Sequence, residues 1–452
     1  MSRNGVLTAE QAELVKIGEH RAATNEPVRV LQVISNLKVG GAQEAVRTLV
    51  EALPAEGCRP VVCTFEDGPL REPIERLGIP IEVLRGRVHD VLVPPLFLID
   101  VMRIRRDLMR IIEKHNIDVV QTNLLRALDF VVLSLRTRRR LRVFWTIQNS
   151  NFTLREEHLR RAKWLLRPKR WAHKLLYRLA SRWVNGFIAV SEEVKTVIVR
   201  EIGPVGNKIT VICNAVDVSR YQRRADRVQV RRQLGIPENA SVLTVVATFK
   251  RQKGHCYLLD ATPSVIRRFP QLHILLAGDG ELKGQLLAQT EKLGIQRHVH
   301  FLGTRRDIPD LLAASDCFVL PSLWEGLSLA LLEAMASGLP IIATAVAGST
   351  QVMVDGETGY LIQPGSVREL EEAIVCLFAD PSHARAMGAA ARRRVEALFG
   401  ARESAARHVA LYLGQSYHGG QHPVGLNKRS CGSGNPVMKK KVALSATSVE
   451  AS

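Results

Sequence analysis

Aromatic residues make up only 5% of this 452-residue chain, so its cores must be built from Val, Ile, Leu and Ala. No Cys-x-x-Cys pair occurs. The seven cysteines (Cys58, Cys63, Cys213, Cys256, Cys317, Cys376, Cys431) are scattered, several of them in or beside strand-like apolar runs. That scatter fits a protein of a reduced compartment better than a disulfide framework or a thiolate zinc site. No apolar run approaches the roughly 18–20 residues needed to span a bilayer; Val91–Val101 is broken by Pro94, Pro95 and Asp100. The first residues carry Arg3, Glu10, Glu13 and Glu19 without an apolar stretch, so no secretory leader is expected.

Acidic residues are also short, at 44 against 63 Lys and Arg, for a formal charge of +19. The excess is concentrated. Between Arg136 and Trp183 stand fifteen Lys and Arg residues, opposed only by Glu156 and Glu157. Such a segment calls for phosphate-bearing partners: a nucleotide, an anionic lipid or a nucleic acid.

What is present in abundance is β/α alternation. Residues 1–26 have no period and read as a loose extension. Val28–Ile34 is a buried strand, followed by Gly40-Gly41 and a helical pattern over Ala42–Leu53. Apolar strands and helices then alternate to Cys213, which predicts a parallel sheet covered on both faces. The character changes after Asp217, and a second alternation runs from Ser241 to Phe378. The expected organisation is therefore an α/β chain of two doubly wound domains, 27–218 and 219–400, with a helix over 401–417. The stretch 418–452, rich in Gly, Ser and Lys, reads as a disordered basic tail. Open parallel sheets take ligands at the carboxyl ends of their strands, so a cleft between two facing sheets is the expected site.

Two stretches carry chemistry at such ends. In Trp324-Glu325-Gly326-Leu327-Ser328-Leu329-Ala330-Leu331-Leu332-Glu333-Ala334 a strand ends at Leu320 and a helix is predicted to begin near Leu327. Free N–H groups and the positive dipole end at a helix start seat a diphosphate. Glu325 and Glu333, eight residues apart, stand roughly 10 Å from each other at ~1.5 Å per residue. They could then accept hydroxyls on either side of that diphosphate. As isolated acids they would be solvated side chains; the turn and helix start favour the site. The second stretch, Lys250-Arg251-Gln252-Lys253-Gly254, puts three cations at another strand end, where Lys and Arg bind phosphate. The pair Gly40-Gly41 is a weaker signal: paired glycines allow positive φ and close approach of a ligand, but without the full G-x-G-x-x-G spacing a plain tight turn is the better reading.

These residues together resemble retaining glycosyltransferase family 4 (group 1). The E-x7-E signature corresponds to Glu325 and Glu333. Gly40-Gly41-Ala42, Ile188-Ala189-Val190-Ser191-Glu192, Asn214-Ala215-Val216-Asp217, Gln252-Lys253-Gly254, Leu276-Ala277-Gly278-Asp279-Gly280 and Asp355-Gly356-Glu357-Thr358-Gly359 follow in the family's order over roughly 28–400. The resemblance implies the GT-B fold, with a UDP-, GDP- or ADP-sugar donor on the second domain and a glycan or lipid-linked acceptor on the first. It implies that Glu333 binds the donor ribose, Glu325 the sugar and Lys253 the diphosphate. Backbone at Gly326, Leu327, Ser328 and Leu329, and at Gly40 and Gly41, would assist, with Gly278 also on the donor side. Gln148 and Asn149 would face the acceptor. The chain departs from the pattern at Thr248 (usually Arg; Lys250 or Arg251 could supply the charge), at Gln148 (often His) and at Gln351 (often acidic). The resemblance also implies no metal, consistent with the absence of a D-x-D pair in a suitable loop; no separate cofactor is expected, and the reaction it implies is a front-face displacement.

The cationic segment 159–183 also carries Trp164, Trp171 and Trp183 with Leu residues, and reads as two amphipathic helices broken at Pro168. Docking on an anionic membrane surface and packing on its own domain are equally consistent with it. Nucleic acid is not expected, for want of a stacking module. The expected setting is the cytoplasm, at the inner face of a membrane if the docking reading of 159–183 holds. Two other readings stay open: a nucleotide-sugar epimerase of the same fold, and a non-catalytic or nucleic-acid-binding scaffold.

Overall fold

The computed structural model describes residues 26–84, 94–123, 127–135, 141–148, 166–203, 208–222 and 226–415. The expected loose extension, the basic tail, Asn149 and the stretch 159–165 lie largely or wholly outside them. The described residues form two units, one running to Ala215 and rejoined from Ala401, the other Val216–Gly400.

The first unit alternates β1 (Val28–Asn36), α1 (Gly41–Ala52), β2 (Cys58–Glu66), α2 (Arg71–Glu75), β3 (Ile81–Val83), α3 (Pro94–Lys114), β4 (Val119–Asn123), α4 (Ala127–Ser134), β5 (Arg142–Ile147), α5 (Leu166–Ala180), β6 (Gly186–Ala189), α6 (Glu192–Ile202) and β7 (Ile209–Val211). Its sheet has the order β3-β2-β1-β4-β5-β6-β7, all parallel. Because β4 and β5 are covered on both faces, every residue of each is buried, as continuous apolar strands require.

The second unit continues with α7 (Arg227–Gln233), β8 (Ser241–Val246), α8 (His255–Arg268), β9 (Leu272–Ala277), α9 (Lys283–Lys292), β10 (Val299–Gly303), α10 (Ile308–Ala313), β11 (Cys317–Leu320), α11 (Leu329–Ala336), β12 (Ile341–Thr344), α12 (Ala347–Val352), β13 (Gly359–Ile362), α13 (Val367–Ala379) and α14 (Pro381–Leu398). Its parallel sheet has the order β10-β9-β8-β11-β12-β13. In both sheets the strand order reverses beside the first strand of the unit, which makes the carboxyl ends there the natural ligand position.

The last helix, α15 (Ala401–Leu413), belongs to the first unit. Tyr412 is fully buried against Phe144, with ring centroids 5.7 Å apart, and its hydroxyl bonds with Gln32 and Gln121. Two expectations are corrected. Pro168 does not interrupt α5, which is helical on both sides of it from Leu166 onward; the residues before Leu166 lie outside the described ones. The helix after Glu325 begins at Leu329 with Ser328 as its N-cap, leaving Leu327 in the loop.

Candidate functional site

In the second unit the loops after β8 and β11 are locked together. The Leu323 N–H donates to the Gln252 carbonyl at 2.7 Å, and Gln252 Nε2 donates to the Trp324 carbonyl at 2.8 Å. Gly254 makes this possible. Its φ is +64°, and a Cβ there would overlap the Pro321 carbonyl oxygen, so the two backbones meet only if the residue is glycine.

This contact sets Lys253 beside Glu325. The Lys253 ammonium pairs with Glu325 Oε1, and the two side chains are only 18% and 6% exposed. Ser322 Oγ donates to the same carboxylate oxygen at 2.8 Å, and Gln252 Nε2 reaches Oε2 at 3.5 Å. A buried carboxylate is tolerated because it is paired and hydrogen-bonded. The residues read separately at two strand ends are thus one cluster.

The start of α11 lies four residues past Glu325. Ser328 has extended backbone and its hydroxyl makes no capping bond, so the first-turn N–H groups keep their capacity for an anion. Gly326, Leu327, Ser328 and Leu329 are all buried around this start. Glu333 is the fifth residue of the helix and half-buried; its carbonyl accepts from the Ser337 N–H and Oγ, each at 3.0 Å. Gly278, at the end of β9, has φ +153°, and a Cβ there would overlap the Ala247 carbonyl oxygen. Its glycine identity is therefore explained by strand packing. Lys250 and Arg251 are exposed on the turn after β8, as is Thr248.

Sequence reasoning passed over His255, the residue after Gly254. It is 3% exposed, edge-on to Phe249 at 5.0 Å, and neither ring nitrogen has a partner. Burial first, and then the Lys253 charge, push its pKa down to about 4, so it is a neutral imidazole at physiological pH. Only its adjacency to Lys253 could have signalled it.

The remaining site residues belong to the first unit. Gly40 is the N-cap of α1 with φ −176°, and Gly41 opens the helix. Neither glycine takes the positive φ allowed for it, and a Cβ at Gly40 would meet only the end of the Gln43 side chain, at 2.6 Å. A Cβ at Gly41 would meet nothing within 4 Å, so the pair leaves the helix start bare. Gln148 is buried at the end of β5 and lines a cavity of about 30 Å³ with Gln121, Asn123, Thr146 and His408. Beneath it runs a polar network missed in the sequence. Gln121 Nε2 donates to Thr146 Oγ1 at 2.8 Å, and Asn123 Nδ2 donates to Gln32 Oε1 at 3.1 Å.

Comparison with known proteins matches both units. Residues 39–220 fit the family described as Glycosyltransferase Family 4, and residues 226–394 the family described as Glycosyl transferases group 1. A UDP-Gal:alpha-D-GlcNAc-diphosphoundecaprenol alpha-1,3-galactosyltransferase of Escherichia coli is 27% identical over 362 residues, covering 78% of this chain and 88% of that protein. An N-acetyl-alpha-D-glucosaminyl L-malate synthase of Bacillus anthracis is 31% identical over 204 residues, 45% of this chain and 53% of that protein. Among solved structures, Anabaena Alr3699/HepE in complex with UDP and glucose superimposes with a TM-score of 0.69 at 24% identity, covering 84% of this chain and 98% of that one.

Proposed function

Because this chain belongs to the family 4, group 1 glycosyltransferases of GT-B fold, we propose that it moves a sugar from a nucleotide-sugar donor to a lipid-linked or polysaccharide acceptor, with retention of anomeric configuration. The observation that carries this reading is the buried Lys253–Glu325 pair set just before the uncapped start of α11.

In this reading the donor diphosphate occupies the start of α11, where N–H groups and Lys253 take up its charge. Lys250 and Arg251 supply further charge at the outer phosphate, in place of the arginine absent at Thr248. Glu325, released from Lys253, accepts the hydroxyls of the transferred sugar, and Glu333 accepts those of the ribose. Gln148 faces the acceptor. The bond from the anomeric carbon to the diphosphate oxygen breaks as the acceptor oxygen bonds to the same face of that carbon. The acceptor's proton passes to the departing phosphate oxygen, and no metal takes part. A uridine nucleotide is favoured among UDP, GDP and ADP sugars, and a polyprenyl-linked acceptor is favoured too. Both follow the name of the Escherichia coli relative. The enzyme would then work in the cytoplasm at the inner face of a membrane, building a surface glycan.

A thermal-shift panel of UDP-, GDP- and ADP-sugars tests the donor site. At about 100 times Kd, the right donor stabilises the fold by ~2.7 kcal/mol. Stabilisation by none of them sinks the assignment. Release of nucleoside diphosphate that depends on added acceptor separates transfer from epimerisation.

A further inference from the structure

The best-defined unassigned surface is the outer face of α5. This helix is fixed from within by Tyr177, whose hydroxyl donates to Asp129 Oδ2 at 3.1 Å and whose ring meets Trp145 edge-on at 5.2 Å. Ala180 is buried beside it. At 3.6 residues per turn, the residues facing away from Tyr177 form two rows. One is apolar: Trp171, Leu175, Leu179 and, just past the helix, Trp183, with Leu176 alongside. Trp171 is 67% exposed, Trp183 58%, and the three leucines at least 40%. The other is cationic, Arg178 and Arg182, with Lys174 at its inner border, three residues before Tyr177. Lys174 is held by Glu201 at 2.6 Å, while Arg178 and Arg182 are exposed.

A soluble surface has no use for two tryptophans and three leucines in one contiguous stripe. We infer that this face of α5 docks the protein on the surface of an anionic phospholipid bilayer, with the Trp171–Trp183 row at the headgroup boundary and Arg178 and Arg182 on lipid phosphates. Both rows match that partner: indole rings favour the interface and cations favour anionic headgroups. A second copy of the chain is disfavoured because a symmetric contact would oppose two Arg178–Arg182 rows. A nucleic acid would leave the leucines unmatched. No described helix is long and apolar enough to cross a membrane.

The fold gives this face a position as well. The sheet order reverses at β1, so right-handed crossovers put α3, α4 and α5 on one side of the sheet and α1 on the other. Each helix runs back against its strand, so the first turns of α3 and α5 lie toward the sheet's carboxyl edge. In its second and third turns α3 exposes Ile99 and Met102, and Gln148 follows β5 at the sheet's carboxyl edge. A lipid-linked acceptor would be presented beside Gln148. That last step rests on the function proposed above; the docking itself does not.

Sedimentation of the full chain with sucrose-loaded vesicles decides the matter, using phosphatidylglycerol–phosphatidylethanolamine against phosphatidylcholine at 50 and 500 mM salt. The wild type should pellet with the anionic vesicles and be released by salt. Arg178→Gln/Arg182→Gln should weaken partitioning about fivefold per cation, and Trp171→Ser/Leu175→Ser/Leu179→Ser by at least about tenfold. Both variants alter exposed side chains and should keep the wild-type near-UV circular dichroism and nucleotide thermal shift. Equal binding to neutral vesicles, or partitioning unchanged in both variants, overturns the inference. So does a concentration-dependent dimer, without vesicle binding, that the triple variant abolishes. If no nucleotide shifts any of the proteins while vesicle binding still follows the two rows, the donor assignment fails and the docking surface stands.

Discussion

Replacing Lys253 by Met keeps the length of the side chain and removes its charge, which isolates what the ion pair contributes. Glu325 is 6% exposed, so without Lys253 its carboxylate keeps only the Ser322 hydroxyl and a 3.5 Å contact with Gln252. Breaking a fully buried pair from one side costs about 3–5 kcal/mol. Lys253 retains some solvent contact and the carboxylate keeps two donors, so the expected loss is smaller, about 2–3 kcal/mol. At about 2–4 °C per kcal/mol for a domain near 200 residues, the unfolding midpoint of the second unit should fall by roughly 5–10 °C. Glu325→Gln should cost less, about 1 kcal/mol, because the freed ammonium can turn to water. The double variant should therefore be more stable than Lys253→Met alone. Losing one charge-assisted bond to phosphate, worth about 1.5–3 kcal/mol, should also weaken the nucleotide-sugar Kd by roughly tenfold to a hundredfold. Differential scanning fluorimetry with and without nucleotide sugar reads both effects. A Lys253→Met protein with the wild-type midpoint and the wild-type ligand response would refute the reasoning, because neither the pairing nor the phosphate role could then be right.

Gly278→Ala should be as damaging as a core mutation although it adds one methyl group. The residue sits at φ +153° with the Ala247 carbonyl where its Cβ would go, so β8 and β9 must separate at their carboxyl ends, for about 2–4 kcal/mol; a urea midpoint within error of the wild type would contradict this. Acid should destabilise the protein through its buried imidazoles. Burial pushes His255 and His408 down to about 4, while in the unfolded chain they take up protons below about 6.5. The unfolded state thus binds more protons between these values, so this stability is complete above about pH 6.5 and lost as pH falls toward 4, about 2 kcal/mol per imidazole at pH 5. His255→Leu should remove one such share and leave stability at pH 7 equal or higher, because both ring nitrogens lack partners. An unchanged difference between urea midpoints at pH 7 and pH 5 would count against it.

Much of the site was legible because its signals are local. The apolar run ending at Leu320, the small-residue turn and the helix holding Glu333 follow one another in sequence, and α11 begins two residues from the expected place. The cations of 250–253 announced themselves at the next strand end. Other features were not legible. Helix α14, with its run of small and basic residues, lacks the contrast that marks an amphipathic face. Gly40-Gly41 suggested left-handed backbone that the chain does not adopt, because a glycine pair says nothing about which of its allowed conformations is used.

By itself the sequence determined two successive β/α alternations, the strand ends proposed to hold the donor, and the resemblance to the family through an ordered set of motifs that includes Glu325 and Glu333. These depend on periodicity and nearest neighbours, which a linear pattern carries. Tertiary structure alone decided that Lys253 closes on Glu325, 72 positions away, and that Gly254 and Gly278 are glycines because another strand's carbonyl occupies the Cβ position. It also decided that α15 returns to the first unit, since the Gln32–Tyr412 hydrogen bond joins residues 380 positions apart. The turning outward of the Trp171 row was settled in the same way, by which side of α5 Tyr177 anchors. Each of these follows from where a distant segment comes to rest, and no local propensity encodes that.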